Sequence, residues 1–283
     1  MTAIALAAIS AFLFGAMTVF LRIALRTGVA PEAATLFTIL PALAVTAVAA
    51  VAGGEWDLVS AWPFLLAGLL APGVSQILFT FAVRDTGASR ASVAVGTAPL
   101  FAVAIALVFF DEPLVAGLVV GAALIVVGGI LLVSERAQPE HFRRLSLLLA
   151  VGATIAFATR DNVIRWLGTE VTDVEPGMAA FATMLAGGAV TAGFVALSRP
   201  RLIRRAAIAF VPAALCYGLS YVVLFEAFYR GRVSVVSPIV ATESLWGVTL
   251  SWLVLRQSER VGPRLIAGAG LVVAGGVLIS VYR

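Results

Sequence analysis

The chain has 283 residues, of which 61% are hydrophobic and 12% are charged. Soluble domains are closer to half apolar and a quarter charged, so this composition excludes an ordinary soluble domain and requires lipid around most of the surface. The net charge of +4 comes from 19 arginines and no lysine. Because most of these arginines fall in short segments between apolar stretches, we interpret the charge as membrane topology and predict no nucleic-acid partner.

Apolar stretches of about 20 residues, the length that crosses a bilayer, follow one another along the whole chain. Every backbone amide in lipid must be hydrogen-bonded internally, so we predict that each stretch is a helix. The first stretch follows no positively charged segment and exceeds a signal-peptide core, so it is predicted to be a true span. The sequence thus predicts an all-α integral membrane protein forming one membrane domain. Its ten predicted spans are 3–25, 33–53, 60–82, 89–110, 113–133, 145–166, 177–197, 206–227, 233–255 and 263–281.

Arginine is distributed unevenly between the two sides that these spans define. Thirteen arginines lie in loops after odd-numbered spans, whereas three lie on the opposite side, whose loops are acidic. Because cytoplasmic loops carry the excess of positive charge, this distribution predicts cytoplasmic odd loops and both termini outside. We expect a multi-pass protein of a bacterial-type inner membrane.

The two halves of the chain resemble each other in sequence. The matching pairs are Phe14 with Phe157, Arg22 with Arg165, Gly73 with Gly218, Ser75 with Ser220, Ser89 with Ser234, and Gly128 with Gly275. Their offsets drift only from 143 to 147, which favours a repeat of five helices in residues 1–136 and again in 137–283. An odd number of helices per half reverses the orientation of the second half. The sequence therefore predicts inverted repeats, which secondary transporters use to alternate access about a central site.

Three segments carry a resemblance to a known family: FGAMTVFLR (14–22), TGASRASVAVGTAPLFAVAIALVFFDEP (86–113) and GAALIVVGGILL (121–132). Matching residues recur in the second half; for example, Glu112 after span four corresponds to Glu259 after span nine. On these segments the chain resembles an EamA-type member of the drug/metabolite transporter superfamily over essentially its whole length. The resemblance implies a central cavity lined by spans 1, 3, 4, 6, 8 and 9, with spans 5 and 10 at the periphery. It also implies cytoplasmic termini, opposite to the arginine distribution. The chain further resembles the amino-acid-exporting YddG-type branch.

Ionisable side chains within the spans are the strongest candidates for a site. A carboxylate in mid-membrane costs roughly 2.5–3.5 kcal/mol, so Glu243 is predicted to bind a substrate ammonium group or to carry a coupling proton, with a structural ion pair as the alternative. Arg160 is predicted to bind a substrate carboxylate and Asp161 an ammonium group. The alternative for this pair is a local network with Arg165.

Polar and aromatic residues near these positions complete the predicted substrate-binding set. Its other members are Thr18, Ser75, Gln76, Tyr217, Tyr221, Thr242 and Trp246. Arg22 and Arg165, by contrast, are predicted to snorkel to the lipid headgroups.

These features together predict a secondary-active exporter of small organic solutes, namely amino acids including aromatic ones, which works by alternating access. Two alternatives stay open: efflux of lipophilic cations with Glu243 as counter-charge, and a membrane-embedded enzyme. The sequence has no P-loop, and a single histidine, His141, excludes HExxH. We therefore predict no enzymatic activity, no cofactor and no metal site. The expected partners are a small-molecule substrate and the bilayer, and the Gly117-x-x-x-Gly121 pattern leaves a homodimer open.

Overall fold

Helices form nearly all of the computed structural model, which describes residues 2–54, 56–101, 115–134, 146–231, 233–255 and 262–282. Within those ranges, seven helices are long and apolar enough to cross a membrane. Two shorter apolar helices, Val119–Leu131 and Pro263–Ile279, add to them. The predicted all-helical, multi-pass membrane architecture is therefore confirmed at this level.

Local sequence signals explain several helix ends in the first half of the chain. Thr2 caps the first helix because its side chain accepts a hydrogen bond from the Ala5 amide, and Pro31 opens the second helix, where no amide donor is needed. Gly87, at φ 90°, allows the sharp turn between the helix that ends at Thr86 and the one that begins at Ala88. The helices are α1 (Ala3–Leu25), α2 (Pro31–Ala52), α3 (Trp62–Gly68), α4 (Ser75–Thr86), α5 (Ala88–Val95) and α6 (Ala116–Ser134), with a π-helical segment, Leu69–Val74, joining α3 to α4.

The second half contains the corresponding series of helices. It comprises α7 (Ser146–Trp166), α8 (Pro176–Ser198), α9 (Val211–Arg230), α10 (Val233–Ala241), α11 (Glu243–Leu255) and α12 (Pro263–Tyr282). A π-helical turn, Leu167–Val171, extends α7, and a 3₁₀ segment, Arg204–Phe210, leads into α9.

Most predicted spans coincide with these helices within a few residues, and the first one, 3–25, matches α1 at both ends. Three spans predicted as continuous are interrupted. Ala71 leaves the helical conformation (φ −143°, ψ 115°) in the third span, Gly96 and Thr97 form a turn after α5 in the fourth, and α10 ends one residue before Thr242 in the ninth. Pro72 and Pro238 lie close to the breaks at Ala71 and Thr242. Proline has no amide donor for the helical hydrogen bond, which explains why the helix is interrupted nearby. Residues 102–110 of the predicted fourth span lie outside the described residues, as do Glu112 and Glu259.

The first helix of each half packs against the other half. Among the described helices, α1 lies mainly against α9, α10 and α11, whereas α7 lies mainly against α3, α4, α5 and the π-helical segment between α3 and α4. Three hydrogen bonds join these pairs: Ser10 Oγ donates to the Ser220 carbonyl, Ser146 Oγ to Asp85, and Thr154 Oγ1 to the Ala94 carbonyl. Helix α2 packs on α8 and α6 on α12, and α6 exposes valines and Ile130 as a lipid-facing surface would.

Three arginines are placed differently from the sequence prediction. Arg22 and Arg165 do not snorkel outward; each guanidinium donates to main-chain carbonyls at the end of a neighbouring helix. The last carbonyls of a helix have no partner within it, so they accept such donors readily. Arg90, which the prediction counted in a loop, is buried within α5 with 1% of its surface exposed.

Candidate functional site

A narrow cavity lies in the middle of the bundle, where α1, α4, α5, α7, α10 and α11 meet. Its volume of about 50 Å³ holds a few water molecules. Three phenylalanines, Phe14, Phe79 and Phe157, supply aromatic walls. The polar lining residues are Thr18, Arg160, Asp161, Asn162, Ser237 and Glu243. Of the predicted site residues, the structure thus brings Thr18, Arg160, Asp161 and Glu243 together.

Arg160 is the centre of a buried polar network on α7. Its Nη2 lies 2.6 Å and its Nε 2.9 Å from one Asp161 oxygen, while Nη1 donates to the Tyr221 hydroxyl on α9. The guanidinium also lies 4.8 Å from the centre of the Tyr221 ring, a cation–π distance. A guanidinium has five N–H donors, and three of them are used here. The remaining two are available to a ligand in the cavity.

Glu243 begins α11, directly after the break at Thr242, and only 8% of its surface is exposed. The N-terminus of a helix carries a partial positive charge, which favours a carboxylate at this position. Within the part of the chain that the structure describes, this carboxylate has neither a hydrogen bond nor an ion pair. The Glu243 carboxylate therefore lines the cavity as an acceptor that can bind a proton or a cationic group.

Two tyrosines on α9 lie next to the Arg160 network but outside the cavity lining. Tyr217 and Tyr221 are fully buried, with ring centres 5.0 Å apart in an edge-to-face arrangement, and both rings also pack against Phe14. Neither lines the cavity directly. Tyr221 instead orients Arg160, so α9 acts on the cavity through that side chain.

The structure places four predicted residues away from the cavity. Trp246 does not line the cavity: 40% of its surface is exposed and its ring packs edge-on against Phe12, so its role at the substrate site stays a prediction. Thr242 is not in the lining, and its hydroxyl donates to the Ile239 carbonyl. Ser75 and Gln76 are fully buried just after the π-helical segment of the third span, outside the lining.

Some lining residues are absent from the predicted substrate-binding set. Asn162 and Ser237 are polar residues within spans, which is a signal that could have included them, whereas nothing in the sequence separates Phe79 from packing residues. Phe14 and Phe157 did carry a signal, because they are one of the matched pairs of the repeat. A matched pair at the centre of two inverted halves is expected to meet near the axis that relates them.

The lining in fact consists largely of positions that correspond between the halves. With an offset of 143, Phe14, Met17 and Thr18 correspond to Phe157, Arg160 and Asp161; with an offset of 145, Val95 and Ala98 correspond to Val240 and Glu243. Three of these five pairs combine a neutral residue in the first half with a charged residue in the second. Among the described residues, the charged groups that line the cavity therefore all belong to the second half.

A second, surface cavity of about 430 Å³ lies at one end of the bundle, between the α2–α3 and α7–α8 connections. Asp57, Asp173 and Glu175 line it. Hydrogen bonds from the Ser60 hydroxyl and the Ser60 amide hold the pKa of Asp57 below its usual value. This end of the molecule thus carries negative charge at neutral pH, as the acidic loops of the sequence predict.

The chain is similar to a known protein family and to a protein of known structure. The EamA-like transporter family matches residues 1–134 and 144–281. One protein of known crystal structure, 19% identical, matches 97% of this chain and 96% of its own with a TM-score of 0.68, a likeness that shows the fold alone. No curated protein matches the chain.

Proposed function

Because the chain belongs to the EamA-like transporter family of the drug/metabolite transporter superfamily, whose members move small solutes across membranes, we propose that it is a secondary-active exporter of amino acids, aromatic ones included. We further propose that it resides in a bacterial-type inner membrane and belongs with the YddG-type, amino-acid-exporting branch.

The substrate assignment rests on two oppositely charged side chains in one cavity, each of which can still bind a ligand. Glu243 offers a carboxylate that has no hydrogen bond or ion pair to any residue the structure describes, and Arg160 retains two N–H donors. A zwitterion satisfies both groups at once, with its ammonium on Glu243 and its carboxylate on Arg160. The walls of Phe14, Phe79 and Phe157 suit an apolar or aromatic side chain.

Alternating access between two inverted five-helix halves is the proposed mechanism. The family matches the two halves of the chain separately, the first helix of each half packs against the opposite half, and corresponding positions line the cavity. These observations support ten spans related by a two-fold axis in the membrane plane. A binding site on such an axis can face either side as the halves rock.

Efflux of lipophilic cations is a second candidate that one specific observation favours. The cavity holds two carboxylates and one guanidinium, and Asp161 already neutralises that guanidinium. Glu243 therefore leaves the site with a net negative charge whenever it is ionised. A cation with an apolar body fits this balance without using Arg160.

A matched ligand set separates the two candidates by thermal unfolding of the purified protein. The ligands are tryptophan, tryptamine, which lacks the carboxylate, and 3-indolepropionate, which lacks the ammonium. Ligand at 100 times its Kd stabilises the folded state by about 2.7 kcal/mol. We expect tryptophan alone to raise the unfolding temperature; a larger rise with tryptamine than with tryptophan would favour cation efflux, and no rise with any of the three would remove the substrate assignment.

A further inference from the structure

Arg22 and Arg165 make the same contact in the two halves of the chain. Arg22 Nη1, near the end of α1, lies 2.5 Å from the Arg84 carbonyl and 3.2 Å from that of Val83, both at the end of α4. Arg165 Nη1, near the end of α7, lies 2.6 Å from the Phe228 carbonyl and 3.4 Å from that of Tyr229, at the end of α9. The donors differ by 143 positions and the acceptors by 145, the offsets found in the cavity lining.

The two contacts lie at opposite ends of the bundle. Helix α9 runs antiparallel to α1: Ser10 donates to the Ser220 carbonyl, and a Cβ at Gly231 would lie 2.6 Å from that of Ala3. The α9 end that Arg165 contacts is therefore beside the start of α1. Arg22 lies nineteen residues further along α1, which is about 28 Å at 1.5 Å per residue. One arginine contact thus stands on each side of the central cavity.

Each contact also crosses between two groups of helices. Helices α1, α9, α10 and α11 form the first body, α3, α4, α5 and α7 form the second, and the two bodies meet chiefly where α5 packs on α11. The side-chain hydrogen bonds of Ser10, Ser146 and Thr154 lie inside one body or the other, whereas that from Arg160 to Tyr221 joins the two bodies beside the cavity. Arg22 belongs to the first body and binds the second, whereas Arg165 belongs to the second and binds the first.

We propose that Arg22 and Arg165 are the two latches of the transport cycle, one closing each end of the cavity. In the proposed closed state both latches are made, and the cavity is small, at about 50 Å³. Opening toward one side breaks the latch on that side and keeps the other. The inference rests on the proposed alternating access but not on the identity of the substrate.

The chemistry of the contact suits a latch that is broken in every cycle. The carbonyl acceptors at helix ends are uncharged, and an uncharged acceptor costs less to leave without a partner inside the membrane than a carboxylate does. A freed carbonyl at the edge of the bundle can be hydrated, and the guanidinium can then extend toward the headgroups. An Arg–carboxylate pair in the same place would hold far more strongly.

The test measures access to the cavity from each face and needs no substrate. In a Cys216→Ser background, Ser237→Cys places one thiol in the cavity lining, and a membrane-impermeant maleimide is added to one face of sealed, oriented vesicles. The Arg22 face is identified with Thr27→Cys, in the α1–α2 connection. Because a broken latch raises the share of the state that is open on its own side, we expect about a tenfold faster reaction for Arg22→Ala from the Arg22 face and for Arg165→Ala from the opposite face. Arg22→Lys and Arg165→Lys, which keep one donor group, should lie in between.

A covalent version of each latch tests the idea by replacing the arginine contact with a permanent bridge. A short bifunctional thiol reagent joins Arg22→Cys to Arg84→Cys, or Arg165→Cys to Tyr229→Cys, in the Ser237→Cys protein. We expect each bridge to stop labelling from its own face only. Equal changes from both faces, or undiminished labelling through a bridged end, would overturn the latch assignment. Amino-acid binding is measured separately, so a failed latch and a failed substrate proposal are distinguishable.

Discussion

At the scale of single residues, the site is defined by which charges already have partners. Arg160 is held by Asp161 and Tyr221, whereas Glu243 has no protein partner in the described part of the chain. An arginine fixed by two partners is a pre-oriented donor, because little side-chain freedom is lost when a ligand binds. An unpaired carboxylate at a helix start is, by contrast, the group whose energy changes most when a cation arrives.

Glu243→Gln is therefore expected to weaken binding of an amino acid by about 10- to 100-fold, since a hydrogen bond to a charged group contributes about 1.5–3 kcal/mol. Folding should not suffer, because the substitution removes a buried charge that has no partner. Tryptophan flux in proteoliposomes and the ligand-induced shift in unfolding temperature measure the effect. Trp246→Phe, outside the cavity, is the matched control and should leave both unchanged. Unaltered flux in Glu243→Gln would exclude this carboxylate from transport.

Arg160 and Asp161 are expected to behave as a coupled pair in stability measurements. Removing one partner of a buried ion pair leaves the other uncompensated, at a cost of about 3–5 kcal/mol. Arg160→Leu and Asp161→Leu should thus each destabilise the protein more than the double substitution does, which replaces both charges by apolar groups. Thermal unfolding in detergent of the two single variants and the double variant measures this double-mutant cycle. Additive losses would show that the two side chains do not depend on each other.

The residue scale is also where the sequence was least informative. Trp246 and Phe14 are both aromatic residues of membrane spans, yet one packs at the lipid-facing surface and the other lines the cavity. Composition and periodicity do not determine the rotation of a helix that is apolar on every side. The charged residues were easier, because lipid excludes Arg160, Asp161 and Glu243 from the outer surface.

At the scale of helices, the physics of the bilayer made the prediction strong. Backbone amides in hydrocarbon must pair within the segment, so apolar length alone locates α1, α2 and α8 to within a few residues. The breaks at Ala71 and Thr242 were not predicted as helix ends. A proline marks a position where a helix can bend, but whether it bends depends on its neighbours, and Pro41 lies inside an uninterrupted α2.

The contact between α6 and α12 depends on glycine at specific positions. A Cβ at Gly121 would lie 2.8 Å from the Gly275 carbonyl oxygen and 2.7 Å from the Ile279 side chain, whereas a Cβ at Gly129 would meet nothing within 4 Å. Gly121→Ala should therefore destabilise the protein by about 1–3 kcal/mol through overpacking. Gly129→Ala, the control on the same helix, should be neutral or stabilising because alanine favours helix. Equal unfolding temperatures for the two variants would mean that α6 and α12 are not in close contact.

At the scale of the whole molecule, the proposed repeat explains both the symmetry of the cavity and its asymmetry. Phe14 and Phe157 correspond, as do Val95 and Val240, so the two halves contribute similar apolar walls. Within the lining that the structure describes, the ionisable groups occur in the second half alone, at positions that correspond to Met17, Thr18 and Ala98. Symmetric walls allow the cavity to face either side, while charges on one half bind the substrate in both states.

The absolute orientation in the membrane is a further property of the whole molecule, and the family resemblance and the arginine distribution imply opposite orientations. The resemblance to EamA-type transporters implies cytoplasmic termini, whereas the arginine distribution predicts termini outside. Thirteen loop arginines minus the buried Arg90 leave twelve on the odd-loop side, against three on the other. Because this bias orients membrane proteins during insertion, we expect it to prevail.

Thiol labelling in intact cells decides the orientation, with two exposed positions on opposite faces and Cys216→Ser as background. Val59, in the connection between α2 and α3, is 83% exposed, and Leu202, between α8 and α9, is 47% exposed. If the arginine bias prevails, an impermeant maleimide labels Val59→Cys in intact cells and Leu202→Cys only after the membrane is permeabilised. The reverse pattern would place the termini in the cytoplasm and the acidic surface cavity with them. Because the Arg22 latch lies on the same side as Leu202, the same result also assigns each latch to its compartment.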